Sequence, residues 1–187
     1  MTKVKASSAL EWVAIVVVSL VVAAAAIALL SGYFAGQDTP GVSGSASAPG
    51  IAIKDMGDAH LSPGAPVPHY DSNPPTSGAH VPVPVTRDDA VLSDNQLLQA
   101  LQLGNVVLMY GTGSPPDGLE QLARSSAGPF SPALAATGQA VILARRPGIG
   151  GIVALAWARL LHVSSPSSSS LGPFITYWLG KGAPRHG

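Results

Sequence analysis

The side chains best equipped for chemistry in this sequence are histidines, at positions 60, 69, 80, 162 and 186. His60, His69 and His80 share a proline-rich stretch with Met56 and Asp58. Imidazole, thioether and carboxylate are ligand types that copper or zinc accept. The spacings of nine and eleven residues match no compact ligand motif, so a metal centre there requires the segment to fold back on itself. The plainer expectation is that each histidine makes a hydrogen bond pinning an extended segment onto the domain. His162, at the end of a strand, and His186, in the tail, read as packed or solvated residues.

Other chemistries are narrowed by what the chain lacks. With no cysteine, disulfides, thiolate zinc sites, iron–sulfur clusters, covalent haem attachment and a blue-copper His/Cys centre are excluded. Ser77 stands in Pro74-Pro75-Thr76-Ser77-Gly78 without a Gly-x-Ser-x-Gly elbow, and reads as a turn residue. The glycines from Gly148 to Gly151 sit between two strand-like runs, not before a helix, and make a turn, not a dinucleotide site. Lys plus Arg and Asp plus Glu are ten each, so no net field recruits nucleic acid or an anionic surface. Every acidic residue lies at or before Glu120, whereas Arg124, Arg145, Arg146, Arg159, Lys181 and Arg185 follow it. The two halves are expected to attract each other within one domain.

The elements that would position these residues begin near Ser93. Ser93 with Asp94 and Asn95 offers a helix N-cap, Leu97, Leu98, Leu101 and Leu103 supply an apolar stripe, and Gly104 stops the helix. Val106 to Tyr110 reads as a buried strand, and Asp117 to Ala127 as a short helix with Leu119 and Leu122 inward. Gln139 to Ala144 and Ile152 to Trp157 read as two strands paired as a hairpin through Arg146-Pro147-Gly148. After a Ser164 to Ser170 loop, Pro173 to Leu179 forms a last helix. Trp157 and Trp178 read as core residues. The order helix, strand, helix, strand, strand, helix predicts one small α+β domain with a helix-covered sheet. Thioredoxin-like domains share that order by analogy, but without cysteine their redox chemistry is excluded.

Ahead of this domain the composition changes sharply. From Val13 to Leu30 every residue but Ser19 is apolar, with Trp12 at one end and Tyr33 and Phe34 at the other. Roughly 20 helical residues cross a hydrocarbon core, so residues 9–35 are expected to form one transmembrane helix. Lys3 and Lys5 precede it and no cation follows until Lys54, which places residues 1–8 in the cytoplasm and the remainder outside it. A cleaved signal peptide would have a shorter apolar region. Glu11 falls at the headgroup edge, and Ala23 to Ala26 offer a smooth face for a neighbouring helix. Residues 36–50, rich in Gly, Ser and Pro, read as a flexible linker, and residues 51–92 as an extended Pro/His-rich start to a 51–187 extracytoplasmic domain.

The stretch Gly57 to His80, GDAHLSPGAPVPHYDSNPPTSGAH, resembles the signature of domain-of-unknown-function family 3105, bacterial proteins that often carry an N-terminal membrane anchor. The PPTSGAH core is its most specific element, where family members usually have PPTSGPH. Similarity continues through Gln99 to Tyr110, Ala156-Trp157 and Phe174-Ile175. The resemblance implies a His-x-x-Glu-His-Gly motif ahead of the first strand. On a helix its two histidines would share a face with the glutamate beside them, a geometry suited to a divalent metal. Here those positions are Gln99, Gln102 and Leu103, so all three implied ligands are missing.

Two functions are therefore expected, in order. The first is a non-catalytic, membrane-anchored accessory subunit of a larger membrane assembly, such as an electron-transport complex, with no cofactor and with other membrane subunits and the bilayer as partners. The second is an extracytoplasmic copper or zinc module using His60 and His80, with His69 a lesser candidate. A metallohydrolase ranks third, because the residue placed to act as general base is Gln102.

Overall fold

A computed structural model describes residues 48–184. The chain divides into two units, Met1–Ala46 and Ser47–Gly187, and the described residues belong to the second. Among them no helix is long and apolar enough to cross a membrane. The expected transmembrane helix, most of the linker and His186 lie outside the described residues.

The domain is α+β, built on a five-stranded mixed sheet. In chain order its elements are β1 (Ile51–Ala52), α1 (Asp94–Leu103), β2 (Val106–Tyr110), α2 (Leu119–Ala127), α3 (Pro132–Ala136), β3 (Val141–Arg145), β4 (Ile152–Ala156), β5 (Arg159–Val163) and α4 (Leu171–Trp178). The strand order is β1-β5-β4-β2-β3, with β2 and β3 parallel and every other pair antiparallel. All five residues of β2 are buried, as a central strand covered on both faces requires. Alternate residues along it feed two cores. Val107 and Met109 pack with Leu97 and Leu101 of α1 and Ala135 of α3. Val106, Leu108 and Tyr110 pack with Leu119 of α2 and Phe174 and Ile175 of α4. Each such side chain withdrawn from water contributes about 1.5–3 kcal/mol.

The helix at Ser93 forms as its sequence predicts. The Ser93 hydroxyl accepts from Gln96 N while the Gln96 side chain accepts from Ser93 N, a reciprocal capping box. The helix stops at Gly104, whose φ of 112° only glycine adopts freely and whose carbonyl accepts from Gly180 N at 2.8 Å. Leu103 departs from the expected stripe and is 41% exposed.

Strand pairing corrects the expected hairpin. β3 and β4 do not pair, because β2 lies between them. The link from Arg146 to Gly151 instead arches over the end of β2, where Arg146 N donates to the Tyr110 carbonyl at 2.8 Å. β4 turns back through Trp157-Ala158 into β5, a strand absent from the expected order. Ala158 adopts φ 54° there without an Asn-Gly or Asp-Gly signal to announce the turn. The short helix α3 and the two-residue β1 are likewise additions to the expected order.

Candidate functional site

The Pro/His-rich arm forms no helix or strand after β1, and only part of it runs over the surface. Thr76, Ser77 and His80 are buried, at 1%, 2% and 0% exposure. The arm is held by backbone ties in place of a regular element. Ala158 N donates to the Thr76 carbonyl at 3.0 Å, fastening the turn to the β4–β5 corner. The Ser77 hydroxyl accepts from Met56 N and donates to the Lys54 carbonyl, which fixes Ser77 as a turn residue with both capacities used. Gly78, at φ 132°, lies where a Cβ would meet the Tyr70 ring at 2.8 Å. The Tyr70 hydroxyl donates to the Ala79 carbonyl, and burial, then the charge of Asp94, holds that hydroxyl above its ordinary pKa. Trp157 Nε1 donates to Asp55, and Asn95 accepts from Val81 N.

This folding brings His60 and His80 together. Their backbones form a bridge, with Leu61 N donating to the His80 carbonyl at 2.8 Å and His80 N to the Ala59 carbonyl at 3.0 Å. The rings meet edge to face, 5.5 Å between centres. Opposite them stands the α1 face carrying Gln99, Gln102 and Leu103. Together with Asp58, His60, Gly180, Gly182, Ala183 and Pro184, these three line a cleft of about 430 Å³. The tail forms its far wall because Ala183 N donates to the Gln102 carbonyl at 3.0 Å.

Hydrogen bonding assigns both tautomers. Gln102 Nε2 donates to Asp58, to its carbonyl at 3.3 Å and to Oδ2 at 3.5 Å. Gln102 Oε1 is then an acceptor, so His60 Nε2, 2.9 Å away, carries a proton and His60 Nδ1 keeps a lone pair. His80 Nδ1 donates to the Gly78 carbonyl at 2.9 Å, leaving its lone pair on Nε2. That nitrogen is buried without a partner, as is Gln99 Oε1. Each such buried acceptor costs about 1–3 kcal/mol if left unmet.

The donor set falls short of a closed zinc site, which takes four ligands. Among the described residues no group of three or more His or carboxylate side chains stands where it could hold a metal ion. His69 is exposed and takes no part in the cluster. His162 is also exposed and contacts the Gly150 carbonyl at 2.6 Å. Trp157 is buried as expected, and Trp178 is half-buried against the second core.

The charged halves meet in part. Arg146 donates at 2.7 Å to both Asp94 and Asn73, and Arg124 pairs with Glu120 at 3.3 Å. A half-buried carboxyl, Asp88, accepts from Leu143 N at 2.8 Å and closes the outer edge of β3. Burial raises its pKa against the lowering effect of its bonds to Leu143 and Asp89, and Asp89 and Glu120 add a smaller upward push. Nothing in the sequence marks this carboxyl as different from its neighbour Asp89.

No curated protein and no solved structure matches the chain. A family model for proteins of unknown function, DUF3105, matches residues 60–187, beginning at the first of the two paired histidines. That match spans well over half of the sequence, so the chain belongs to the DUF3105 family.

Proposed function

We propose that this protein is a non-catalytic, membrane-anchored accessory subunit whose domain lies on the extracytoplasmic face of a larger membrane assembly. One observation carries the reading. Where the resemblance implies a general base and two metal-ligating histidines, the cleft presents the neutral amides of Gln99 and Gln102 and the exposed Leu103. The Gln102 amide is committed to His60 and Asp58, so it holds the arm to α1 and offers no base. The apolar run Val13 to Leu30 supplies the anchor, and its Ala23 to Ala26 stretch the surface for a neighbouring helix. An electron-transport complex is one assembly of the expected kind. Gentle detergent extraction followed by mass spectrometry tests this: other membrane proteins should travel with the chain in fixed proportion, and a lone monomer overturns the reading.

A second reading, an extracytoplasmic copper or zinc module, is favoured by the unpartnered lone pair of His80 Nε2 beside the His60 ring. Imidazole suits either ion. If it is right, the purified chain takes up Cu(I), Cu(II) or Zn(II) stoichiometrically on titration, and His80→Gln loses that uptake. Absence of uptake removes this reading. The combined substitution Gln99→His, Gln102→Glu, Leu103→His should then create divalent-metal affinity in a chain that has none, as expected if the cleft is a stripped metal site.

A further inference from the structure

We propose that the face formed by Ala52, Arg159, Tyr177, Trp178 and Lys181 rests on anionic lipid headgroups of the bilayer that carries the chain. The proposal rests on the anchored reading above and adds which side of the domain meets the membrane.

These side chains are contiguous. Ala52 of β1 lies opposite Arg159 of β5 and so shares its face of the sheet, whereas Ile51 opposes Leu160 on the other face. The Arg159 guanidinium lies 5.0 Å from the centre of the Trp178 ring. The Trp178 ring meets Tyr177 at 4.8 Å, and the Lys181 ammonium stands 3.7 Å over Tyr177. Trp178 Nε1 donates to the Pro49 carbonyl at 2.8 Å, which fixes the aromatic pair beside the strand through which the chain enters the domain. Tyr177 is 42% exposed and Ala52 is also exposed, so an aromatic side chain faces water next to two cations. Neither cation has a carboxylate partner among the described residues, where the ion pairs are Arg124–Glu120 and Arg146–Asp94.

Amphipathic aromatics with lysine and arginine are the combination that a headgroup layer receives, rings at the interface and cations against anionic lipid. The position of the patch along the chain strengthens the match. Twelve residues, Gly36 to Ser47, separate the apolar stretch from the described domain. A Gly/Ser-rich chain of that length spans about 20 Å. A tether of that reach allows the patch to touch the surface, and within about one Debye length of it, about 8 Å at physiological salt, the two cations would feel its charge. The balanced net charge conceals this, because the acidic residues all precede Arg124 in the chain and, among the described residues, none pairs with Arg159 or Lys181.

The full chain, reconstituted into nanodiscs of phosphatidylcholine alone or with about a third phosphatidylglycerol, provides the test by hydrogen exchange. Amides of residues 49–53 and 174–183 should exchange up to about thirtyfold more slowly in the anionic discs, an effect of the size two basic side chains confer at such a surface. Salt at about 0.5 M should erase the difference. So should Lys181→Glu combined with Arg159→Gln, while unchanged exchange across β2 shows that the variant is folded; Lys181→Glu alone, at an exposed position, keeps the test open if the pair is not. Equal exchange in both discs, for a chain embedded in them, overturns the lipid-facing patch alone. Slowing seen only in native membranes and not in lipid-only discs also overturns it and assigns the face to a protein. A chain that fails to enter the discs at all overturns the anchored reading together with the patch.

Discussion

The arm from Ile53 to Leu92 and the sheet domain from Ser93 onward are stabilised in different ways. The sheet is held by apolar burial, with Val107, Leu108, Ile142, Ala154 and Leu155 withdrawn completely from water. The arm has no regular element; Val85 and Leu92 near its end join the α1 core, whereas Pro74 to Gly78 and His80 are buried where single hydrogen bonds tie the arm to backbone and side chains. Burial summed over a core is robust to one lost contact, whereas an arm held by isolated ties is lost locally when one tie goes. The difference matters for function because the arm supplies His60 to the cleft, with His80 buried against its ring, and the sheet domain supplies Gln99 and Gln102.

The largest effect should come from the sheet. Leu108→Ala removes a fully buried side chain from the α2/α4 core and should cost about 2–5 kcal/mol, read as a lower unfolding midpoint for the whole domain. A loss confined to the arm would break the contrast. In the arm, Gly78→Ala forces a side chain into φ 132° and against the Tyr70 ring. It should cost about 1–3 kcal/mol, seen first as faster hydrogen exchange at Leu61 and His80 with the sheet amides still protected. If the sheet amides loosen equally, arm and sheet form one cooperative unit and the distinction fails.

The same contrast explains what the sequence discloses. Apolar runs with clear stops, such as Ser93 to Gly104 and Val106 to Tyr110, read correctly because their spacing and caps are local. Pairing is non-local, and the apolar strands β3 and β4 with a Pro-Gly link between them invite a hairpin that β2 in fact interrupts. β5 goes unread because its turn uses Ala158, which carries no turn signature. In the site, the two histidines are legible as candidates, but their meeting is not. It depends on a backbone bridge between residues twenty apart in a segment without periodicity. The role of Gln102 is harder still, since as a substitute for glutamate it reads as a loss, whereas in the fold it ties His60 to Asp58.

Asp88 lies where the two regions join, and its two variants separate charge from hydrogen bonding. Asp88→Ala leaves Leu143 N without an acceptor and should cost about 1 kcal/mol. Asp88→Asn keeps that acceptor. Because burial raises the carboxyl's folded pKa, the folded state holds the proton more tightly than the unfolded chain. The stabilisation from this group is therefore complete below the ordinary carboxylate pKa of about 3.9 and is lost as pH rises through the raised folded value. Thermal midpoints across this range should show Asp88→Asn gaining on the parent as pH rises, and a constant gap would contradict the assigned shift.

The smallest expected effect is at Arg146, which reaches from the end of β3 to both Asn73 of the arm and Asp94 of α1. Its guanidinium uses two nitrogens, a fork that lysine cannot reproduce, so Arg146→Lys should retain one contact and lose the other. The Asp94 side chain is 40% exposed, and solvent screening limits the change to about 0.5–1 kcal/mol. What sharpens the comparison is where the loss falls. An arm held by single ties should show it as faster exchange around Asn73 to His80 that grows with added salt in the parent but not in the lysine variant if the Asp94 contact is the one lost. Equal salt dependence in both would place the surviving contact on Asp94 and leave Asn73, a neutral partner, as the tie that arginine alone provides.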